Sequence, residues 1–299
     1  MAYGGNRMAP GESSQHNTLF ATDQDCISYL FQKRWPNGFR CPFCNRLQSE
    51  ISPAHTIVCR YCRKQSSITA NTLMHGSKKS LTEWVQVAAQ FCFSKEGVSA
   101  RSLQNSFHIA TYQTAWNWLK KLRKAAAIAE SAPLTGPVLL FVTTTGDADS
   151  PLRYISNIAC LMEVADLPKQ PTRVRLVSLL GTPQNPLPHI VKYSIPTSAT
   201  IITSESIALS LADIRLDYHI QTTDSENQKA IELLQELQQW MSRIYRGATG
   251  ATYLQGYLDE FCFRHNTATW NNRLAILDHL LTGIMSGHAI PQDKTTLDK

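Results

Sequence analysis

The chain has 299 residues, of which 43% are hydrophobic, and a formal net charge of +6. This length allows about two domains of roughly 150 residues each. No uninterrupted apolar run reaches the roughly 18 residues of a membrane span, and the N-terminus lacks the apolar centre of a signal peptide. These features argue against an integral membrane or secreted protein, and we expect a soluble intracellular protein with no membrane partner.

Positive charge is concentrated in the first part of the chain. Residues 1–135 contain 16 Lys and Arg against 7 Asp and Glu, whereas residues 136–299 contain 13 against 16. A basic segment attracts polyanions, so the front half is expected to bind nucleic acid.

The N-terminal residues predict little ordered structure before a first short helix. Residues 1–20 mix Gly, Ser, Asn and Gln with few apolar anchors, which is typical of a disordered leader. Asp23 can cap a helix that extends to about Gln32. The sequence Trp-Pro-Asn-Gly at residues 35–38 then predicts a turn.

Two Cys-x-x-Cys pairs follow that turn. They are Cys41 with Cys44 and Cys59 with Cys62, and 14 residues separate them. Four thiolates with this spacing can bind one zinc ion tetrahedrally, and Ile57 and Val58 suit the short strands of a zinc ribbon. Four thiolate ligands leave no position open for water, so we predict a structural zinc site and a zinc ribbon over residues 21–72.

The other four cysteines are scattered through apolar or helical segments, as reduced core thiols are. This pattern favours a reducing compartment such as the cytoplasm. The four are Cys26, Cys92, Cys160 and Cys262.

Helical periodicity begins after the cysteines and extends to about residue 131. Ser80 with Glu83 forms a cap signal for a first helix that ends near Gly97. A second helix begins at Ser99, and Thr111 opens a third one that extends to about Ala129. A short helix, a turn and a longer helix indicate a helix-turn-helix over residues 80–131, although an ordinary three-helix unit with a solvated basic face has the same spacing.

The third helix would place polar and cationic groups in a DNA groove while its apolar face packs on the core. Ala115, Trp116, Leu119 and Leu122 are the predicted core positions. The candidates for phosphate contacts in this region and in the ribbon are Arg60, Arg63, Lys64, Lys78, Lys79, Lys120, Lys121, Arg123 and Lys124. The candidates for base contacts are Tyr112, Gln113 and Asn117.

The pattern changes after a Pro- and Gly-containing segment at residues 132–137. Beyond it, apolar runs and alternations predict strands, and two longer helical patterns follow them. Several strands followed by alternating helix and strand indicate a mixed α/β domain with the element order of ribonuclease H-like nucleases. The predicted strands are 138–145, 155–164, 174–180, 189–195, 200–203 and 218–221, and the predicted helices are 207–212, 226–245 and 253–285.

Several segments together resemble the zinc-ribbon transposases of bacterial insertion sequences related to the eukaryotic Merlin transposons. The resemblance rests on residues 34–44, Tyr61 and Cys62, residues 69–75, Trp84, residues 97–123, and a closing motif, LQGYLDEFCFRHN, at residues 254–266. It implies binding to double-stranded DNA and a ribonuclease H-like domain of the DDE type, in which three acidic or amide residues hold two metal ions.

The chain departs from this family at the acidic positions. Phe141 and Val142 occupy the places of the first Asp-Glu pair, and a phenyl ring has no lone pair for a hard cation. The resemblance leaves Glu205 as a displaced second ligand and Glu232 or Glu236 as the third. Asp147 and Asp149 lie beyond the first strand and are displaced alternatives for the first ligand.

The sequence therefore supports one leading hypothesis and two alternatives. The leading hypothesis is a transposase-derived, sequence-specific DNA-binding protein without nuclease or strand-transfer activity. One alternative is an active cut-and-paste transposase that uses Mg²⁺ or Mn²⁺ at a shifted metal centre. The other is an adaptor that binds protein within a nucleoprotein assembly.

The predicted fold class is an α+β multidomain chain with a zinc ribbon, helix-turn-helix helices and a degenerate ribonuclease H-like domain. A homodimer or higher oligomer associated with the bacterial nucleoid is expected from the same resemblance. The predicted boundaries are a leader at 1–20, the ribbon at 21–72, the helical region at 80–131, the ribonuclease H-like domain at 136–287 and a tail at 288–299.

Overall fold

A computed structural model of the chain describes residues 20–94, 96–145, 156–164, 173–180, 186–212, 218–223, 228–245 and 251–286. Nine α-helices and nine β-strands lie within these residues. The helices are α1 (Asp23–Arg34), α2 (Leu81–Phe93), α3 (Ala100–Ser106), α4 (Tyr112–Ala129), α5 (Leu187–Ser194), α6 (Glu205–Leu211), α7 (Gln228–Tyr245), α8 (Leu254–Thr267) and α9 (Arg273–Ser286). The strands are β1 (Phe39–Arg40), β2 (Leu47–Gln48), β3 (Thr56–Val58), β4 (Gln65–Ser67), β5 (Val138–Thr145), β6 (Ser156–Glu163), β7 (Val174–Ser178), β8 (Thr200–Thr203) and β9 (His219–Thr222).

The chain divides into two units. One contains residues 1–93 with 272–299, and the other contains residues 94–271. The boundary between residues 93 and 94 lies inside the predicted helical region of 80–131, and the sequence-derived domain boundaries stay a prediction.

The first unit contains the ribbon, which we define as strands β1–β4, and helices α1, α2 and α9. β1 pairs antiparallel with β2, and β3 pairs antiparallel with β4, so the ribbon consists of two short hairpins. The three helices contact one another in pairs. Tyr29 and Lys33 of α1 both donate to the carboxylate of Asp278 on α9, which joins the first helix to the last.

The caps of the first two helices differ in part from their sequence signals. Thr22, rather than Asp23, caps α1, because its hydroxyl accepts from Asp25 N at 3.2 Å in a capping box. Asp23 instead accepts from Thr82 N at 2.9 Å in the first turn of α2. The predicted cap of α2 is confirmed, since Glu83 N donates to Ser80 Oγ at 3.0 Å.

The second unit is built on a five-stranded sheet with strand order β7-β6-β5-β8-β9. The β5–β6 and β6–β7 pairs are antiparallel, whereas the β5–β8 and β8–β9 pairs are parallel. β5 is the central strand, and the apolar run at residues 138–142 is what a strand covered on both faces requires.

Alternate residues of β5 reach two separate cores. Leu139 packs with Leu233 and Leu237 of α7 and with Phe261 of α8. Val138 and Leu140 pack on the other face, with α5 and the end of α6. Helices therefore cover both faces of the sheet, as a period-two strand in the centre of an α/β layer demands.

Most of the predicted elements are present, but one strand is not. Residues 189–195 were expected to be extended, yet they lie mainly in helix α5. Its buried residues Leu187, Ile190, Val191 and Ser194 recur at helical spacing, and Pro188 is tolerated in the first turn. The apolar run is short enough to fit either periodicity, and the packing against the sheet decides for the helix.

Helices α3 and α4 begin where the sequence predicts. Ser99 caps α3 and Thr111 caps α4 through their side-chain oxygens. One residue of the core face of α4 differs from the prediction. Trp118 is buried, whereas Trp116, which was expected in the core, is half-buried. The structure does not describe residues 1–19, the tail at 288–299, or Asp147 and Asp149, so those predictions lie outside it.

Candidate metal centre and nucleic-acid interface

Each Cys-x-x-Cys pair lies in a tight turn of the ribbon. Asn45 N donates to Cys41 O at 2.9 Å, and Arg63 N donates to Cys59 O at 3.0 Å. The residue after each pair has a positive φ, 57° at Asn45 and 60° at Arg63, which lets the chain reverse within a few residues. Both turns therefore present their thiols in the same backbone conformation.

The four thiols meet at one point between the two hairpins. Cys41 Sγ lies 3.6 Å from Cys62 Sγ, and Cys44 Sγ lies 3.7 Å from Cys59 Sγ. All four sulfur atoms lie within 4.8 Å of one another. A tetrahedron with Zn–S bonds of about 2.3 Å has sulfur atoms about 3.8 Å apart, so this set fits zinc.

Groups around Cys59 favour its thiolate form. Gln48 Nε2 donates to Cys59 Sγ at 3.3 Å, and Gln48 Oε1 accepts from Arg60 N at 3.0 Å. The backbone N–H of Cys62 lowers the pKa of the Cys59 thiol to about 6. Zinc binds the thiolate, and hydrogen bonds of this kind hold a ligand in place.

Arg34 links helix α1 to the segment that follows the ribbon. Its guanidinium donates to the carbonyls of Ser67, Ile68 and Ala70. Its Cζ also lies 4.6 Å from the ring centroid of Trp35, whose indole packs on Phe39 at the start of β1. The ribbon is therefore anchored to a helix rather than held only by its cysteines.

The predicted phosphate contacts in the first unit are exposed. Arg60, Arg63 and Lys64 extend from the second cysteine turn, and Lys78 and Lys79 precede helix α2. Lys79 Nζ is paired with Glu83 Oε1 at 2.8 Å on the surface. Four of these five cations have no ion pair among the described residues.

The predicted base contacts lie at the exposed start of α4. Tyr112, Gln113 and Asn117 all reach solvent, and Gln113 Nε2 donates to Asn117 Oδ1 at 3.2 Å. Farther along, Lys120 is exposed and its Nζ lies 4.9 Å from the ring centroid of Trp116. Lys121 and Lys124 are half-buried, and burial lowers the pKa of Lys121.

Arg123 is the exception among the predicted DNA contacts, and the prediction for it is wrong. Its side chain is 4% exposed, and Nε donates to the fully buried Glu260 at 2.9 Å. The guanidinium also lies over the ring of Tyr257, 3.9 Å from its centroid. A cation so enclosed cannot reach a phosphate, so Arg123 holds α4 against α8.

The candidate catalytic residues are exposed glutamates at separate places in the second unit. Glu205 begins helix α6 directly after β8. Glu232 accepts from Gln228 Nε2 at 3.2 Å, and Glu236 Oε2 lies 3.4 Å from His265 Nδ1. Within the described residues, the four cysteines are the only group of three or more potential ligands close enough to hold a metal ion.

The strand positions that would carry the first carboxylates are apolar and structural. Phe141 packs against the core under α7 and α8, while Val142 is 36% exposed on the other face. Next to them, Thr203 at the end of β8 donates its hydroxyl to Leu140 O at 2.7 Å. These side chains support the centre of the sheet.

Sequence reasoning missed several side chains of the cysteine turns. Phe43 and Tyr61 are exposed, and the cations of Lys64 and Arg46 lie over their rings. The signal was present, because both Cys-x-x-Cys pairs have an aromatic residue at the second variable position. Gln48, which contacts Cys59, had no sequence signal.

Comparison with known protein families supplies the remaining finding. Residues 21–67 match the transposase zinc-ribbon domain. The match covers helix α1 and all four ribbon strands, and it includes the four cysteines that converge in the structure. The first unit therefore carries a transposase-type zinc ribbon with a possible zinc site.

The same comparisons define the extent of this likeness. No curated protein and no solved structure matched the chain. The zinc ribbon is followed by a mixed α/β unit with a five-stranded sheet.

Within the described residues, none of the helices combines the length and apolarity that a bilayer crossing requires.

Proposed function

We propose that this protein is related to transposases and binds double-stranded DNA sequence-specifically without cutting it. The observation that carries the proposal is the transposase-type zinc ribbon, whose four converging thiols are surrounded by exposed cations. Zinc ribbons are small and rigid once metal is bound, so the ribbon can present these cations at fixed positions.

Phosphate contacts in the proposal come from two surfaces. Arg60, Arg63 and Lys64 extend from the ribbon, and Lys78 and Lys79 lie before α2. Lys120, Lys121 and Lys124 lie on α4. Exposed cations near a duplex release counterions when they contact phosphates, and this supplies affinity without sequence specificity.

Base readout is assigned to the start of α4. Helices α3 and α4 are separated by five residues, and His108 in this connection has a positive φ of 49°. A short helix, a tight turn and a longer helix support a helix-turn-helix with α4 as the recognition helix. Tyr112, Gln113 and Asn117 would contact base edges in the major groove.

The second unit is proposed to be a ribonuclease H-like domain that has lost its metal centre. Three antiparallel strands followed by two parallel strands, with helices on both faces, support that fold. The apolar Phe141 and Val142 at the first acidic positions support the loss. In this proposal residues 136–287 form a scaffold for dimerisation or for binding a partner protein.

Salt-dependent DNA binding tests the proposal. Binding of the zinc-loaded full chain to duplex DNA is measured by fluorescence anisotropy across a salt series. The salt slope is the slope of the logarithm of the binding constant against the logarithm of salt concentration. Replacing Arg60, Arg63 and Lys64 together by glutamine should reduce its magnitude by about 0.9 for each phosphate that is no longer neutralised. Lys192→Gln, at an exposed position of α5, should leave the slope unchanged.

Two further measurements separate readout from catalysis. Asn117→Ala should weaken binding to the preferred sequence by about 1–3 kcal/mol while leaving binding to unrelated DNA unchanged. Incubation of the protein with DNA and Mg²⁺ or Mn²⁺ should yield no cleavage or strand transfer. Cleavage abolished by Glu205→Gln, or by changes at Glu232 or Glu236, would overturn the inactive assignment and establish an active transposase. Failure to bind duplex DNA even at low salt would favour a protein-binding adaptor.

A further inference from the structure

The two cysteine turns of the zinc ribbon each expose a large aromatic side chain. Phe43 is 56% exposed and Tyr61 is 54% exposed. Each occupies the second variable position of its Cys-x-x-Cys pair, and the two pairs share the same backbone conformation. Single exposed apolar side chains are ordinary on protein surfaces, so it is the pairing of both rings with cations that points to a ligand.

A cation from the opposite turn lies over each of these rings. Lys64 Nζ is 4.8 Å from the ring centroid of Phe43, and Arg46 Cζ is 4.8 Å from that of Tyr61. The arrangement is reciprocal, because each cation comes two residues after the second cysteine of its own turn. Both rings are thus held beside a positive charge, while more than half of each side chain remains open.

The surroundings favour a polyanion. Residues 39–48 and 56–67 contain five Arg and Lys residues and no Asp or Glu. An open cleft of about 570 Å³ lies beside Phe43, and its lining includes Arg34, Trp35 and Arg40. An apolar protein partner would have to desolvate these cations, whereas a nucleic-acid strand neutralises them with phosphates.

We propose that Phe43 and Tyr61 bind unpaired bases of single-stranded DNA by stacking, with Arg46 and Lys64 contacting the adjacent phosphates. The ribbon then also engages a strand that is exposed where a duplex ends or opens, in addition to the duplex phosphates that its cations contact in the proposed function. Every base has a π face, so this contact is independent of sequence. The inference rests on the proposed DNA binding and adds unpaired bases to the duplex phosphates that the ribbon contacts.

Replacement of each aromatic ring by the aliphatic side chain of leucine tests the stacking. Phe43→Leu and Tyr61→Leu are compared with wild type for binding of a short single-stranded oligodeoxynucleotide and of a blunt duplex. Each change should weaken single-strand binding by about fivefold to a hundredfold, the range for removing one stacked base. Duplex binding by the same variants should remain within about twofold of wild type, and their salt slope for the single strand should stay unchanged.

Matched variants separate stacking from charge and from general surface change. Phe43→Tyr and Tyr61→Phe keep the rings and should retain single-strand affinity. Leu47→Ala and Val58→Ala alter the other exposed apolar side chains of the ribbon, which are 42% and 47% exposed, and should have no effect. Arg46→Gln and Lys64→Gln should each lower the single-strand salt slope by about 0.7.

The outcomes distinguish this inference from the proposed function. Zinc content is measured for every variant. Photo-crosslinking uses the wild-type protein, without any substitution, and should attach the oligonucleotide at Phe43 or Tyr61. If the protein binds duplex DNA but the Phe43→Leu and Tyr61→Leu variants bind single strands as wild type does, the stacking site is overturned and the proposed function is not. The same conclusion follows if crosslinks form only at other residues. Binding to neither form of DNA overturns the proposed function as well.

Discussion

Arg123 and Glu260 form a buried ion pair between helices α4 and α8, with Arg123 Nε 2.9 Å from Glu260 Oε2. The side chains are 4% and 0% exposed, and Arg264 donates to the other carboxylate oxygen of Glu260 at 3.0 Å. One buried carboxylate therefore pairs with two guanidinium groups. Because burial of a charge is costly unless it is paired, each partner depends on the others.

Glu260→Gln should destabilise the protein strongly. The substitution leaves Arg123 buried without its counter-charge, and the removal of one partner of such a pair costs about 3–5 kcal/mol. Chemical unfolding followed by circular dichroism measures the change. Glu83→Gln, which breaks the surface pair with Lys79, should cost less than about 1 kcal/mol, and equal effects would show that burial does not govern the Arg123 pair.

Gln255→Ala should loosen the outer edge of the sheet. β7 is an edge strand, and Gln255 accepts from Ser178 N at 2.8 Å and donates to Leu176 O at 3.0 Å. Without these bonds the backbone groups have no partners, at a cost of about 1–3 kcal/mol. Hydrogen exchange at Ser178 N should accelerate in Gln255→Ala. Gln239→Ala, on the exposed face of α7, should change neither the free energy of unfolding nor this exchange rate. Unchanged exchange at Ser178 would contradict the edge role.

Asp259→Asn should reduce the dependence of stability on pH. Burial raises the pKa of Asp259 to about 7, against a donor bond from Gln255 and attraction by Arg175. The folded state therefore holds this proton more tightly than the unfolded state, whose carboxyl has a pKa of about 3.9. The stabilisation is complete below that value and is lost as pH rises through about 7.

Unfolding free energies measured at intervals from pH 4 to 8 check this. Wild type should lose more stability over that interval than Asp259→Asn does. Glu232→Gln, at an exposed position on α7, should follow the wild-type curve. Parallel curves for wild type and Asp259→Asn would mean that the pKa of the Asp259 carboxyl is the same in the folded and unfolded states.

Cys44→Ser should abolish stoichiometric zinc binding. The four thiols form one site, and removal of one breaks the tetrahedral set. Structural zinc contributes on the order of 10 kcal/mol to the folding of small ribbons, so amides of residues 39–67 should exchange rapidly. Cys92→Ser lies outside the cluster and should retain about one zinc per chain by elemental analysis. Retention of full zinc by Cys44→Ser would refute the site.

Gly38→Ala should damage the entry to the ribbon. Gly38 has φ of +94°, and an added Cβ would lie 2.6 Å from Ser49 Cα and 2.7 Å from Gln48 O. The backbone of β2 would have to shift, which adds to the roughly 1–3 kcal/mol of conformational strain. Gly76→Ala is the control, because Gly76 has φ of +70° with open space around it, and thermal unfolding should show the smaller destabilisation there.

Local sequence signals predicted the ribbon and the ends of several helices correctly. The four cysteines could be recognised as one cluster because two Cys-x-x-Cys pairs with this spacing are enough to predict it. Ser80, Ser99 and Thr111 cap helices through bonds within three residues, and the apolar run at residues 138–142 identifies a strand. Each of these features depends on neighbours in sequence, so one chain is enough to recognise them.

Other features depended on contacts between distant residues. Residues 189–195 could be strand or helix by composition, and packing against the sheet selected helix α5. Arg123 has the pattern of a surface cation on a basic helix, and only Glu260, 137 residues away, reveals it as buried. The closing motif at 254–266 was visible as a string of residues, but its bonds to β7 appear only once α8 lies along that edge.

The sequence alone determined the four-cysteine pattern of a possible zinc site, the basic character of the front half and the apolar identity of Phe141 and Val142, because these follow from residue identity and spacing. The tertiary structure alone decided which cations can reach a ligand, which glutamates are paired, and that Lys64 and Arg46 lie over Phe43 and Tyr61. The reason is physical: burial and pairing are set by where distant segments meet, and spacing along the chain carries no direct record of that.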